Sequence, residues 1–227
     1  MSTSFRARLR AAWGIPACIA LAAAAVPAWA QKLAAGYAGF EVDLVYQAPD
    51  IEHPSVVTCD PEGNLFVGED PMDMRGPPTK EIDRVVLIRW DQKTAAPRKT
   101  VFCQNLSAVF GLIWQDGALY VMHAPHYSVF RDTDGDGVAD SYETICDSFG
   151  LTGNYHEFAF GPLPAPDGGW FVALNTASSG AGVRQEVRGE YRDLGREGRM
   201  YSVVPWRGWV VKISPDGKLT PWASGFR

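Results

Sequence analysis

The chain has 227 residues and four cysteines, at positions 18, 59, 103 and 146. No Cys-x-x-Cys-His occurs, so it carries no c-type haem attachment site of its own. It has no excess of base: 21 Lys and Arg face 26 Asp and Glu. That balance makes nucleic acid, and anionic membrane surfaces, poor candidates as partners, and no nucleic acid is expected. Beyond the first thirty residues no apolar run is long enough for a transmembrane helix, so none is expected in the mature chain. There is no nucleophile elbow, no phosphate loop and no GxGxxG. Serine-hydrolase, nucleotide-phosphate and dinucleotide chemistry therefore have no motif here.

What is present starts with a leader. MSTSFRARLR is basic, IPACIALAAAAV is a short apolar run, and AWA ends at Ala30 as a small-x-small cleavage site. Residues 1–30 read as a secretory signal peptide, and the competing reading is an uncleaved N-terminal anchor. The expected location is periplasmic or secreted. Losing Arg6, Arg8 and Arg10 takes the net charge from −5 to −8. Cys18 leaves with the leader, and three cysteines remain. An odd number in an oxidising compartment leaves at least one free or paired outside this sequence.

One plan recurs three times. SVVTCDPEGNLFVGED (55–70), AVFGLIWQDGALYVMHA (108–124) and EFAFGPLPAPDGGWFVALN (157–175) each join two alternating strands through a turn rich in Asp and Gly. A second hairpin follows each, at 83–106, 127–149 and 208–226. Their last strands align as TVFCQNL, ETICDSF and TPWASGF. Four antiparallel strands repeated at roughly fifty residues are the blades of an all-β propeller. The rival fold is a β-sandwich of about a dozen strands. The expected domain is a partial β-propeller over 31–227, with blades at about 53–106, 107–149 and 156–227. A long insertion, 176–207, divides the third blade. Propellers typically close with about four to eight blades. The chain stops at Arg227, directly after an outer strand, so it is expected to be the front part of a longer propeller. Cys103 and Cys146 hold equivalent places on outer strands that splay apart, and no bond between them is expected.

DTDGDGVADSYE (132–143) matches a calcium loop position by position. Asp132, Asp134 and Asp136 stand at its first, third and fifth places and Gly137 at the sixth. Val138 offers a carbonyl at the seventh, Asp140 a carboxylate at the ninth and Glu143 a bidentate one at the twelfth. No helix enters it. It replaces an ordinary hairpin turn in the second blade, so it is not an EF-hand. The ligand set suits a structural calcium; the plain alternative is a solvated acidic turn. Because strand directions alternate, turns within hairpins lie on one face of the disc and links between hairpins on the other. His53, His123, His126 and His156 then share the face opposite the loop. Arg75, in EDPMDMRGPPTKEID, and the arginines of the insertion project there too.

HPSVVTCDPEGNLFVGED, DTDGDGVAD, GNYHEFAFGP and GWVVKISPDGKLTPWASGFR resemble the propeller of PQQ-dependent glucose/sorbosone dehydrogenase-like proteins. They are closer still to the membrane-bound dehydrogenase family of large exported bacterial proteins. The resemblance spans 40–227. It implies a six-bladed fold, calcium, PQQ as hydride acceptor, a sugar or polyol substrate and a c-type cytochrome as electron acceptor. In the sugar dehydrogenases a catalytic His is followed by Gly-Gly-Arg. His156 matches that His as the base, but Glu157, Phe158 and Ala159 follow it. Arg75 is the candidate contact for the acidic cofactor. Three readings follow: a dehydrogenase domain, a non-catalytic binding module for carbohydrate or a protein partner, and a scaffold for a domain elsewhere.

Overall fold

In the computed structural model, residues 42–71, 82–150, 157–178 and 205–225 are described, with short pieces at 32–33, 39 and 200–201. Among them are sixteen strands and no helix. They are β1 (Lys32–Leu33), β2 (Val42–Asp43), β3 (Pro54–Cys59), β4 (Leu65–Glu69), β5 (Asp83–Trp90) and β6 (Pro97–Leu106). Next come β7 (Gly111–Gln115), β8 (Ala118–His123), β9 (His126–Arg131), β10 (Ser141–Cys146), β11 (Ala159–Pro164) and β12 (Trp170–Leu174). The last are β13 (Ala177–Ser178), β14 (Met200–Tyr201), β15 (Trp209–Ile213) and β16 (Leu219–Ser224).

Twelve of them form three antiparallel four-stranded sheets, β3-β4-β5-β6, β7-β8-β9-β10 and β11-β12-β15-β16. The first strands β3, β7 and β11 run side by side, as the inner strands of neighbouring blades do around an axis. The protein is all-β with the architecture of propeller blades. Local chemistry sets each hairpin. Asp60 accepts the Asn64 amide at 2.8 Å, and Gly63, at φ 85°, closes that turn in a conformation a side chain would strain. At the neck of the insertion β13 pairs with β14, so its base is a two-stranded ribbon. Residues 179–199 and 202–204 of the insertion, and the leader, lie outside the described residues.

Packing between blades follows from the period of two. In β4, β8 and β12 the second residue of LFV, LYV and WFV is Phe66, Tyr120 and Phe171. Phe66 stacks on Trp114 of the next blade at 5.0 Å, and Tyr120 meets Trp170 of the next at 5.1 Å. Phe171, on the far face of the third blade, meets Trp222 of its own sheet. The first interface also buries Val85, Leu87, Phe102, Leu112 and Leu119. The second buries Met122, Tyr127, Phe149, Val172 and Val211. Each such aliphatic or aromatic side chain contributes about 1.5–3 kcal/mol on leaving water. Cys59, Cys103 and Cys146 are all free thiols.

Candidate functional site

The disc has two chemically different ends, separated by the length of β9. At one end β9 runs into the 132–140 turn. The carboxylate oxygens of Asp132, Asp134 and Asp136 lie within 4.8 Å of one another. Asp132 accepts the amides of Gly135 at 2.7 Å and Gly137 at 2.8 Å, which folds the loop back over its first residue. Asp136 accepts the Val138 amide at 2.7 Å. Asp140 turns its carboxylate to Thr133, taking the backbone amide at 2.9 Å and the hydroxyl at 2.8 Å. The Thr133 hydroxyl, and then its amide, hold the Asp140 carboxyl below its ordinary value. Glu143 lies within β10, opposite Val129 in register. Three of the sequence-predicted ligands thus converge, while Asp140 braces the loop and Glu143 stands along the strand.

The loop is also fastened to the first blade. Arg89, in β5, reaches Asp132 at 3.3 Å and the Gly135 carbonyl at 3.4 Å. The Ala139 amide donates to the Phe102 carbonyl of β6 at 2.8 Å. Oxygen donors of this type suit a hard cation, and neutralising three converging carboxylates is what such a cation supplies. Arg89 supplies part of that neutralisation from the protein itself.

At the opposite end lie the links between hairpins. Among the described residues, every buried Asp, Glu, His and Arg is found here: Glu69, Asp70, Asp83, His123, Glu157 and Arg207. Each sits at or within two residues of the end of β4 or β8, or the start of β5, β11 or β15. Their hydrogen bonds explain their burial. Glu69 accepts the Glu52 amide at 2.6 Å and pairs with Arg84. Asp83 accepts the amide of Ala108, at the connection from the first blade to the second. Arg207 does the equivalent for the next connection, donating to the carbonyls of Gly150 at 2.8 Å, Glu157 at 2.8 Å and Phe158 at 3.0 Å. Burial pulls the Arg207 pKa down, and the Glu157 carboxylate partly restores it. A buried main-chain group without a partner costs about 1–3 kcal/mol, so these side chains hold the blade-to-blade connections closed.

The histidines divide. His53 is exposed, at φ 50°, and its carbonyl accepts the Asp70 amide at 3.0 Å. His123 and His126 face each other across the tight β8–β9 link, their rings 5.5 Å apart. The His123 Nε2 and the Ser128 hydroxyl share a hydrogen bond of 3.0 Å. His156 and Arg75 lie outside the described residues. In sequence, His156 falls just ahead of β11, and Arg75 falls between β4 and β5.

The residues after His156 are placed. Glu157 is 2% exposed, and Ala159 is 1% exposed as the first residue of β11. The Phe158 ring packs on Phe110 at 4.4 Å and Phe160 at 5.8 Å. The three positions that a Gly-Gly-Arg would occupy are thus spent on packing and on the inter-blade connection. Glu69 and Asp83 were not singled out from sequence, and Arg207 only as one of the insertion's arginines expected to project from this face, whereas it is buried. Their one local signal is a charged residue directly abutting an apolar strand, as in LFVGED and EIDRVVLI.

A family model described as "Domain of unknown function (DUF7133)" matches residues 31–216. No curated protein matches the sequence. Seven solved chains match. One is the "Holo form of Pyranose Dehydrogenase PQQ domain from Coprinopsis cinerea", at 13% identity and a TM-score of 0.45. The match covers 76% of this chain and 35% of that one, so the chain spans about a third of the structure it resembles.

Proposed function

The chain belongs to the DUF7133 family, and for this member we propose an exported, PQQ-type dehydrogenase-like propeller that oxidises a sugar or polyol. The observation that carries the reading is the separation of chemistry between the ends. Carboxylates converge at the turn end, while imidazole, arginine and further carboxylates gather at the link end. Calcium belongs to the turn, held by Asp132, Asp134 and Asp136 with the Val138 carbonyl. Its role there is structural, because the same turn is bonded to the first blade through Arg89 and Ala139. Asp140 and Glu143 are assigned to that cation through water or after rearrangement.

Oxidation belongs to the link end. An alcohol carbon gives up a hydride and its hydroxyl a proton, leaving a carbonyl. PQQ supplies the hydride-accepting chemistry when bound, and a c-type cytochrome takes the two electrons onward. His156 takes the hydroxyl proton, a role suited to a group that titrates near working pH. Arg75 and the arginines of the insertion other than Arg207 meet the acidic cofactor; Arg207 is buried and donates to the carbonyls of Gly150, Glu157 and Phe158. Among the described residues, Glu69, Asp83 and Arg207 do not form a quinone cradle, since Glu69 is bonded to Glu52 and Arg84 of its own blade and Asp83 and Arg207 to main chain of the connections.

A second reading, a binding module for carbohydrate or a protein partner, is favoured by one observation. The positions after His156 are filled by buried Glu157 and Ala159 and by the packed Phe158 ring. One experiment separates the two. The full-length protein, loaded with calcium and PQQ, is given a panel of sugars and polyols with a redox dye. Dye reduction that falls roughly a hundredfold or more in His156→Ala, with melting unchanged, supports the dehydrogenase. No reduction with any member of the panel makes the binding module the better reading.

A further inference from the structure

Between the outer strands of the first two blades, β6 and β10, runs a groove of about 580 Å³. It extends from the His123–His126 link to Val138 and Asp140 beside the acidic turn. That volume lies within the usual range for a small-molecule site, about 300–1,000 Å³. We propose that this groove binds a neutral, hydroxyl-rich ligand of the carbohydrate class. The proposal rests on the groove's own chemistry and on neither reading of the link end.

The wall is built as a platform. Tyr142 is 71% exposed, yet its ring stacks on the buried Phe130 at 5.6 Å and 17°. One face of the phenol is therefore fixed by the protein, and the exposed ring lines the groove. A pre-positioned aromatic face has little side-chain freedom left to lose on binding. The apolar faces of a sugar ring fit such a surface, and aromatic packing of this kind contributes about 0.5–1.5 kcal/mol beyond area alone.

The floor is a chain of hydrogen-bonding side chains. His123 Nε2 shares a 3.0 Å hydrogen bond with Ser128 Oγ, and Ser128 Oγ lies 3.4 Å from Thr144 Oγ1. All three line the groove, which is unusual for a side chain as buried as Ser128, at 1% exposure. Exposed Gln104 and Asn105 add amide donors and acceptors along the opposite wall. These groups can both give and accept hydrogen bonds, which is what a set of hydroxyls requires.

The charge balance selects the class. No Lys or Arg lines the groove, so a phosphate, nucleotide or acidic peptide finds no permanent counter-charge there, only the imidazoles of His123 and His126. Its one carboxylate, Asp140, is already bonded to Thr133, so a cationic ligand is poorly served too.

The test uses the full chain without PQQ, so failure of the dehydrogenase reading leaves it intact. Saturation-transfer NMR and calorimetric titration are run with glucose, cellobiose, maltose and sorbitol. At least one is expected to bind saturably, and Tyr142→Ala to weaken that binding tenfold or more with the melting temperature retained. Gln104→Ala, an exposed change at the other wall, is expected to weaken it as well. It decides the matter if Tyr142→Ala proves unstable. No saturable binding to any of the four probes overturns the proposal. So does wild-type affinity in the folded variants.

Discussion

Gly111→Ala tests the arrangement of the blades at its tightest point. Gly111 opens β7, the inner strand of the second blade. A Cβ built there lies 1.7 Å from the carbonyl oxygen of Gly161 in β11, and 2.9 Å from Met122 Cβ. Non-bonded carbon contacts settle near about 3.5–4.0 Å, so the two inner strands would have to part by roughly 2 Å. The obstacle is main chain of the neighbouring blade, and no rotamer change relieves it. Overpacking a filled interior costs about 1–3 kcal/mol where side chains give way, and occasionally more. With backbone as the obstacle, about 3 kcal/mol or more is expected. In a domain of this size that corresponds to a fall of roughly 6–12 °C in Tm. Gly117→Ala is the control. It lies at φ 76° with nothing within 4 Å of the added carbon, so only local strain of about 1–2 kcal/mol applies. Thermal melts followed by circular dichroism compare the two with the parent. If Gly111→Ala melts with the parent, or above Gly117→Ala, β7 and β11 are not neighbours around an axis.

Three further outcomes are expected. Calcium should raise the parent's Tm relative to chelator, Asp134→Ala should remove that increment, and Asp91→Ala, in the corresponding turn of the first blade, should keep it; a parent indifferent to calcium rules out the metal. Arg207→Met strips donors from three backbone carbonyls and removes the guanidinium charge that Glu157 faces, so urea unfolding should show a loss of about 3–5 kcal/mol, and an unchanged midpoint would contradict the role given to Arg207. Iodoacetamide at about pH 8 should label exposed Cys59 in the native protein and spare Cys103, whose thiol burial pushes up to about 12, and Cys146, which burial also pushes up; peptide mapping that finds Cys103 labelled without unfolding would show the first interface to be open.

The sequence by itself determined the hairpins and their grouping, because both are local. Alternation of period two in LFV, LYV and WFV, with Asp and Gly between strands, is enough to place β3 to β12, β15 and β16 and to sort them into fours. The acidic turn was equally legible, since Asp132, Asp134 and Asp136 are neighbours in the chain and a tight loop brings their carboxylates together. Tertiary structure alone decided what joins one blade to the next. The Gly111–Gly161 approach and the Ser55–Val109 and Arg207–Gly150 bonds each span about fifty residues or more, roughly one repeat. No local period encodes which residues meet at that separation. The roles of Asp83 and Arg207 were not legible for the same reason: their partners are main-chain atoms of a connection elsewhere in the chain. Tyr142, one aromatic among many in the sequence, lines a groove only because β6 and β10 diverge from an axis that the inner strands share.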